Sequence, residues 1–279
     1  MSQTKIEWTD RVWNPITGCS PVSEGCQNCY AKRMANRLRG RYGYPKDDPF
    51  RVTFHPKRLN EPLRWRKSQK VFVCSMGDLF HEKVERQWID QVMAEILYDY
   101  EHTFLILTKR PTAAQFYFMD FYRTCKDSIL PNLWLGVSIS NQPDADKNIP
   151  ILLQIPAVKR FVSVEPMLGP VNIPPKALCP CSCFAGNTRR PHPDCEGKPS
   201  IDWVICGGET GPRARPMYPD WVRSLRNQCQ LAGAPFFFKH WGEYKEFIYA
   251  PTGEKELLRV GKERAGHLLD GKEYREFPK

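Results

Sequence analysis

No run in the 279-residue chain approaches the roughly 18 to 20 consecutive apolar residues that cross a bilayer, so the sequence predicts no membrane-spanning helix and no membrane partner. The opening residues, MSQTKIEWTD, are polar and lack the basic flank, apolar stretch and small-residue cleavage site of a secretory leader. A cytoplasmic protein with reduced thiols is therefore expected. Low-complexity tracts and internal repeats are also absent, which excludes a repeat array. Acidic residues are in deficit: 41 Lys and Arg face 31 Asp and Glu, a formal charge of +10. A field of that sign draws phosphates. Two readings stay open, a nucleic-acid or nucleotide substrate or partner and a basic protein with neither, because the excess is spread along the chain rather than gathered in one run. The length suits one large domain or two modest ones with an ample core, so stabilising disulfides are not required.

What the chain does have is a series of short apolar runs: VFVCS at 71–75, FLILT at 104–108, LWLGVS at 133–138, RFVSV at 160–164, WVIC at 203–206 and FFF at 236–238. Continuous runs of this kind suit parallel strands buried on both faces. Helical spacing lies between them. Residues 86–100 put Ile89, Val92, Met93, Ile96 and Leu97 on one face, 112–125 is rich in aromatics, and 219–232 ends at Gly233, a helix-stop signal. Alternating strand and helix predicts right-handed βαβ crossovers.

A polar cluster follows nearly every run: Ser75 and Asp78, Thr108 and Lys109, Ser138 and Ser140, Glu165, then Gly207, Gly208 and Glu209, and last Lys239 and His240. An open sheet concentrates function at one switch point, whereas barrel loops converge on one face. The expected fold is α/β, a full or partial (β/α) TIM-like barrel of parallel strands with a Cys-rich insertion. It is expected to occupy residues 1–250, with the insertion at 176–199 and a charged C-terminal extension at 251–279 packed on the barrel.

Eleven cysteines are many for a chain expected to hold no disulfide. Cys19, Cys26 and Cys29 form a C-x6-C-x2-C array in GCSPVSEGCQNCYAKR. Thiolates this close suit zinc, Cu(I) or an iron–sulfur centre. Structural zinc commonly takes a second C-x2-C or a histidine pair, and neither follows in the next twenty residues, His55 being the first histidine. A [4Fe–4S] cluster held by three cysteines leaves one iron open to chemistry.

The run GCQNCYAKR resembles the cluster loop of radical S-adenosylmethionine enzymes, especially the branch related to spore photoproduct lyase. SMGDLF at 75–80, ILTKR at 106–110 and VSIS at 137–140 resemble that branch's strand-end segments in the same order. The set WNPITGC, CQNCYA, SMGDLF, LTKRP, GVSI, SVEPMLGPV, CGGETGPRARPM and FFFKHWGE is similar, over roughly 7–245, to the phage Gp37/Gp68 family of unassigned proteins. The resemblance implies that Cys19, Cys26 and Cys29 ligate three irons and that S-adenosylmethionine takes the fourth. Lys109 then pairs with the methionyl carboxylate as a point charge, Ser138 or Ser140 bonds the ribose or amino group, and Ser75 and Asp78 complete the cofactor cradle. An electron delivered by a reductant such as flavodoxin or ferredoxin would cleave the cofactor to a 5′-deoxyadenosyl radical. Two features depart from that branch: six residues separate the first two cysteines, and Gly207-Gly208-Glu209 follows a late strand rather than the second.

A second group, Cys179, Cys181, Cys183, His192 and Cys195, lies in LCPCSCFAGNTRRPHPDC. A segment so poor in apolar residues would be ordered by a metal, Zn2+ first and an auxiliary iron–sulfur cluster second, with exposed thiols as the plain alternative. Arg189 and Arg190 beside it are either phosphate contacts or solvated. Cys74, Cys125, Cys206 and Cys229 read as packing. Glu165, Glu209 and His240 are the candidate catalytic groups, each with a structural alternative: a turn cap, a solvated carboxylate and a satisfied core histidine. Trp13 and Trp241 read as core filling before base stacking. The segment 267–278, HLLDGKEYREFP, suggests a hairpin around Asp270-Gly271.

Two functions compete: a radical enzyme acting on a nucleic acid or nucleotide in repair or modification, and a non-catalytic, metal-stabilised nucleic-acid-binding phage protein. The sequence is silent on oligomeric state. The cysteine array predicts that Cys26→Ala removes the visible absorbance of anaerobically purified protein while leaving most of the fold intact. Unchanged iron content in that variant would exclude a cluster at this loop.

Overall fold

The structure, a computed structural model, describes residues 4, 6–124, 129–179, 198–249 and 252–279. These divide into two compact units. The first takes in residues up to 22 together with 29–137 and 154–159. In it, β1 (Arg11–Trp13) and β2 (Ile16–Thr17) precede α1 (Tyr30–Arg37), and β3 (Thr53–Phe54) pairs antiparallel with β2. Then come β4 (Lys70–Val73), α2 (Arg86–Tyr98), β5 (Thr103–Thr108), α3 (Pro111–Thr124) and β6 (Leu133–Ile139). The parallel register is Trp13↔Val73, Val71↔Phe104 and Thr108↔Val137. Val71, Val73, Phe104, Leu105, Ile106, Leu135 and Val137 are buried, as continuous apolar runs in a parallel sheet require. The helices supply the cover: α2 buries Ile89, Val92, Met93 and Ile96, and α3 buries Ala114, Tyr117, Phe118 and Tyr122.

The second unit takes residues 23–28, 138–153 and 160–279. It holds most of α4 (Gln142–Gln154), then β7 (Lys159–Val164), α5 (Pro175–Leu178), β8 (Trp203–Cys206), α6 (Pro219–Ala232) and β9 (Phe236–Phe238). Phe161↔Trp203 and Val204↔Phe236 fix its parallel register. Helix α6 ends where expected, on Gly233 in the left-handed region at φ 70. The strand order β1-β4-β5-β6-β7-β8-β9 follows the chain without a switch point, the winding of a partial TIM-like barrel.

Beyond β9, β10 (Tyr244–Tyr249) and β11 (Glu254–Arg259) form a hairpin, followed by α7 (Lys262–Ala265). The expected turn is present: Asp270 (φ 52) and Gly271 (φ 76) link the Leu269↔Lys272 bridge, the two positive φ values of a type I′ turn. Residues 274–276 then run antiparallel along β9. The Phe238 N–H donates to Tyr274 O (2.8 Å), Phe237 bridges Arg275, and the Trp203 indole N–H reaches Glu276 O at 2.8 Å.

All six expected strands are found, within a residue or two of their expected ends. Cys74 is a correction, since it stands just beyond β4 in the left-handed region (φ 56). It is still packing, buried so completely that its thiol is pushed up to about 12. Trp13 is core, its indole N–H satisfied by Arg58 O at 2.8 Å. Trp241 packs edge-on to Phe238 and donates to Leu268 O. Cys125 lies outside the described residues.

His55 pins the β2–β3 pair. Its Nε2 meets Thr17 Oγ1 at 2.8 Å, and burial, helped by the Arg58 charge, lowers its pKa from 6.5 to about 4. The unfolded chain therefore binds a proton that the folded chain refuses between those two values, and stability is lost as pH falls through that window. Urea midpoints measured from pH 7 to pH 4 should decline in the native protein and decline less in His55→Asn. Parallel curves for the two proteins would show that the ring titrates freely.

Candidate cysteine-loop site

The chain enters the cysteine loop through Gly18, which sits at φ +92. A Cβ there would lie 2.2 Å from Arg51 O, so only glycine lets the chain after β2 turn this closely against its neighbour. Cys19 and Ser20 are then held in the first unit by Arg110, just beyond β5. Its guanidinium donates to Cys19 Sγ (3.3 Å), Ser20 O (3.1 Å), Ser20 Oγ (3.1 Å), Asp78 Oδ2 (3.3 Å) and Glu82 Oε2 (3.1 Å). Burial opposes the Arg110 charge, but Asp78, Cys19 and Glu82 outweigh it and raise its pKa. His81 Nε2 stands 2.8 Å from Ser20 Oγ, and burial with the neighbouring Arg110 lowers the pKa of that imidazole.

Asp78 accepts twice on each oxygen, from Phe80 N–H and Thr108 Oγ1–H on Oδ1 and from Lys109 N–H and Arg110 on Oδ2. Four lone-pair sites are thus committed to its own chain. Ser75 Oγ lies 3.2 Å from Asn14 Oδ1. Cys29 caps the start of α1 and packs against the cluster of Ala31, Ala35, Tyr44 and Met76.

In the second unit the loop carries Cys26 at the end of a single 3-10 turn, its sulfur 3.7 Å from Ser23 Oγ. That turn is clamped from the segment after β8. Glu209, 6% exposed, takes a two-point salt bridge from Arg215, Nε to Oε2 at 2.9 Å and Nη2 to Oε1 at 2.7 Å, together with the Arg215 N–H at 2.8 Å. Arg215 extends to Glu24 Oε1 (3.2 Å), Gln27 Oε1 (3.2 Å) and Glu24 O (3.3 Å). Asn28, between the last two cysteines, donates to Glu209 Oε2 (3.0 Å) and Arg213 O (2.7 Å). Burial alone would push the Glu209 carboxyl up; hydrogen bonds from Arg215 and Asn28 overcome it and hold it below its ordinary value.

The other strand ends of this unit bring Glu165 and Lys239 together at 2.5 Å, both partly exposed. Ser138 Oγ reaches Glu165 O at 3.4 Å. Ser140 is fully buried with no partner for Oγ among the described residues, an orphaned hydroxyl of the sort a ligand or water satisfies. Gly207 faces the Glu165–Lys239 pair, whereas the missing side chain of Gly208 makes room for the Trp241 carbonyl, 2.2 Å from where a Cβ would stand. His240 is buried, and its Nδ1 accepts from the Gly242 N–H.

Cys179 is half-buried and follows α5 directly. Cys181, Cys183, His192 and Cys195, with Arg189 and Arg190, lie outside the described residues. Cys19, Cys26 and Cys29 are of intermediate exposure and form no disulfide among the described residues. Among the described residues no three His, Cys, Asp or Glu side chains gather closely enough to hold one metal ion. Sequence reasoning missed Arg110, Arg215 and Asn28. Arg110 and Arg215 stand within the quoted motifs LTKRP and GPRARPM, but no spacing rule joins groups 181 residues apart, as Asn28 and Glu209 are.

The matching family model, described as a protein of unknown function (DUF5131), covers residues 3–278, and the chain belongs to that family. The description names no phage. No curated protein matches the sequence. Among solved structures the chain is similar to spore photoproduct lyase complexed with dinucleoside spore photoproduct, at 9% identity and a TM-score of 0.45 over 92% of this chain and 70% of that one. It is also similar to a point mutant of spore photoproduct lyase, at 10% identity and 0.43 over 92% and 71%.

Removing one partner of a buried ion pair costs about 3 to 5 kcal/mol, because the other charge is left unpaired. Arg215→Ala should therefore lower unfolding stability by about 3 kcal/mol and release residues 24–28. Alkylation of Cys26, followed by peptide mapping, should accelerate while that of Cys19 does not. Equal rates at Cys26 in the two proteins would show that the clamp does not restrain the loop.

Proposed function

We propose that the chain is an iron–sulfur enzyme of the radical S-adenosylmethionine type, acting on a nucleic acid or nucleotide. The observation that carries this reading is the cysteine loop: three half-buried cysteines on one short segment, with an arginine donating directly to Cys19 Sγ. The donor chemistry fits a cluster, since thiolate is the ligand form and a guanidinium beside the sulfur favours it electrostatically. Loading would couple metal binding to local ordering of the loop. When bound, a [4Fe–4S] cluster with one iron free of cysteine supplies a site for S-adenosylmethionine and the electron that cleaves it.

The chain's own residues then divide by role. Asp78 and Glu209, saturated by protein donors, position the loop rather than touch a ligand. Ser140 and the open face of the Glu165–Lys239 pair offer polar groups toward a cofactor or substrate. Lys109 presents an ammonium for a carboxylate. A small acidic flavoprotein or ferredoxin suits a basic surface as electron donor. No described helix is long and apolar enough to cross a membrane. The insertion cysteines would hold zinc or a second cluster.

The test is anaerobic reconstitution with iron and sulfide, metal analysis, and dithionite with S-adenosylmethionine. About four irons per chain, or more with a second cluster, and 5′-deoxyadenosine in the products are expected. Zinc alone, with no 5′-deoxyadenosine, would replace the enzyme with a metal-stabilised binding protein.

A further inference from the structure

The even spread of positive charge along the sequence conceals one local excess. Between Glu24 and Asp47 the chain has no acidic residue and six basic ones: Lys32, Arg33, Arg37, Arg39, Arg41 and Lys46. The fold turns most of them outward. Helix α1 buries only Ala31 and Ala35, small side chains that seat it against Tyr44 and Met76. Its opposite face carries Lys32, Asn36 and Arg37, all exposed. The turn that follows is tied by Gly40 N–H to Tyr44 O (3.0 Å) and by Tyr44 N–H to Arg41 O (2.9 Å), which leaves Arg41 and Tyr42 at its tip.

Arg39 is used structurally, donating to the carbonyls of Lys46 and Asp47. Asp47, the first acid past the run, is paired with Arg51 at 2.7 Å. The side chains of Lys32, Arg37 and Arg41 make no ion pair or hydrogen bond among the described residues. Their charges are therefore available to a partner. Tyr42 is the second observation. Its ring is 76% exposed and its backbone sits at φ 51, a conformation that a bulky residue adopts only at a cost in backbone energy. Among the described residues no packing of the ring compensates for it, so the strain is what an outlier at a binding surface looks like.

We infer that the outer face of α1 and the tip at Arg41-Tyr42 form a docking surface for single-stranded nucleic acid, with Lys32, Arg37 and Arg41 on phosphates and Tyr42 stacked on a base. Unpaired cations alternating with an exposed aromatic are the recurring means by which proteins hold a strand without reading its sequence. The chemistry also gives the surface a location: α1 begins at the residue after Cys29, so a strand lying along it is delivered to the cysteine loop. This inference rests on the proposed enzyme reading for its meaning as a substrate surface, but not for its existence.

The experiment is fluorescence anisotropy of a labelled single-stranded 20-mer with the full chain, from about 50 to 200 mM salt, compared with anionic vesicles. Substituting Lys32→Gln, Arg37→Gln and Arg41→Gln together should weaken binding at least about tenfold and reduce the salt slope by about 2, that is three contacts at ~0.7 each for a single strand. Tyr42→Ala should weaken it about fivefold or more, with the slope unchanged, as loss of a stacking contact does. No binding by the native chain, binding to vesicles but not to the strand, or unaltered affinity in the triple variant would overturn the surface. Reconstituted triple variant is assayed for 5′-deoxyadenosine without nucleic acid. Product formed with strand affinity unaffected would sink the surface alone, and strand binding lost in the variant with no product from either protein would sink the enzyme alone.

Discussion

The salt bridge between Glu209 and Arg215 sets the terms for the cysteine loop. A carboxylate this deeply buried is tolerated only because donors surround it, and those donors come from two segments: Arg215 from the carboxylate's own and Asn28 from between Cys26 and Cys29. The same guanidinium then reaches the backbone and side chains of the 3-10 turn. A loop of six residues between Cys19 and Cys26 would otherwise cost chain entropy to hold in one shape. Here that entropy is offset by charge-assisted bonds that lie far from it in sequence. Arg110 does the corresponding work at the other end, where Asp78 fixes the arginine and the arginine fixes Cys19 and Ser20.

The fold was legible where apolar residues run without interruption. Six such runs became strands because burial on both faces leaves no reason for polar alternation. The elements that escaped each lack that signal. β1 is three residues long, α4 contains Pro150, which argues against a helix, and the β10–β11 hairpin is largely exposed, with little hydrophobic patterning to read. The site divided along similar lines. Three cysteines within eleven residues advertise themselves by spacing alone. Polar residues after strands were visible too, but sequence could not say which of them are bonded within the chain. Asp78, Glu209 and Gly208 look alike as motif members beside Ser140, and only their bonding partners separate the committed groups from the one hydroxyl that has none among the described residues.

That separation also explains why a charged residue can be essential to a site without touching its chemistry. In the proposed cluster loop the cysteines are set by the chain's covalent order, and the precision of their placement comes from the groups around them. The motif segments LTKRP and GPRARPM each contribute one arginine to this task, which gives their joint presence a physical reason.

The strand of residues 274–276 laid against β9 carries a consequence of a different kind. A parallel sheet wound in chain order ends in an edge whose unpaired N–H and C=O groups are a template for any extended peptide. Here the chain occupies that template itself, through the Phe238–Tyr274 bond and the Phe237–Arg275 bridge, with Arg275 lying over the Phe237 ring at 4.8 Å. On this side the sheet has already been told where to stop. Self-association by strand exchange would first have to peel away a segment that the Trp203 indole also holds.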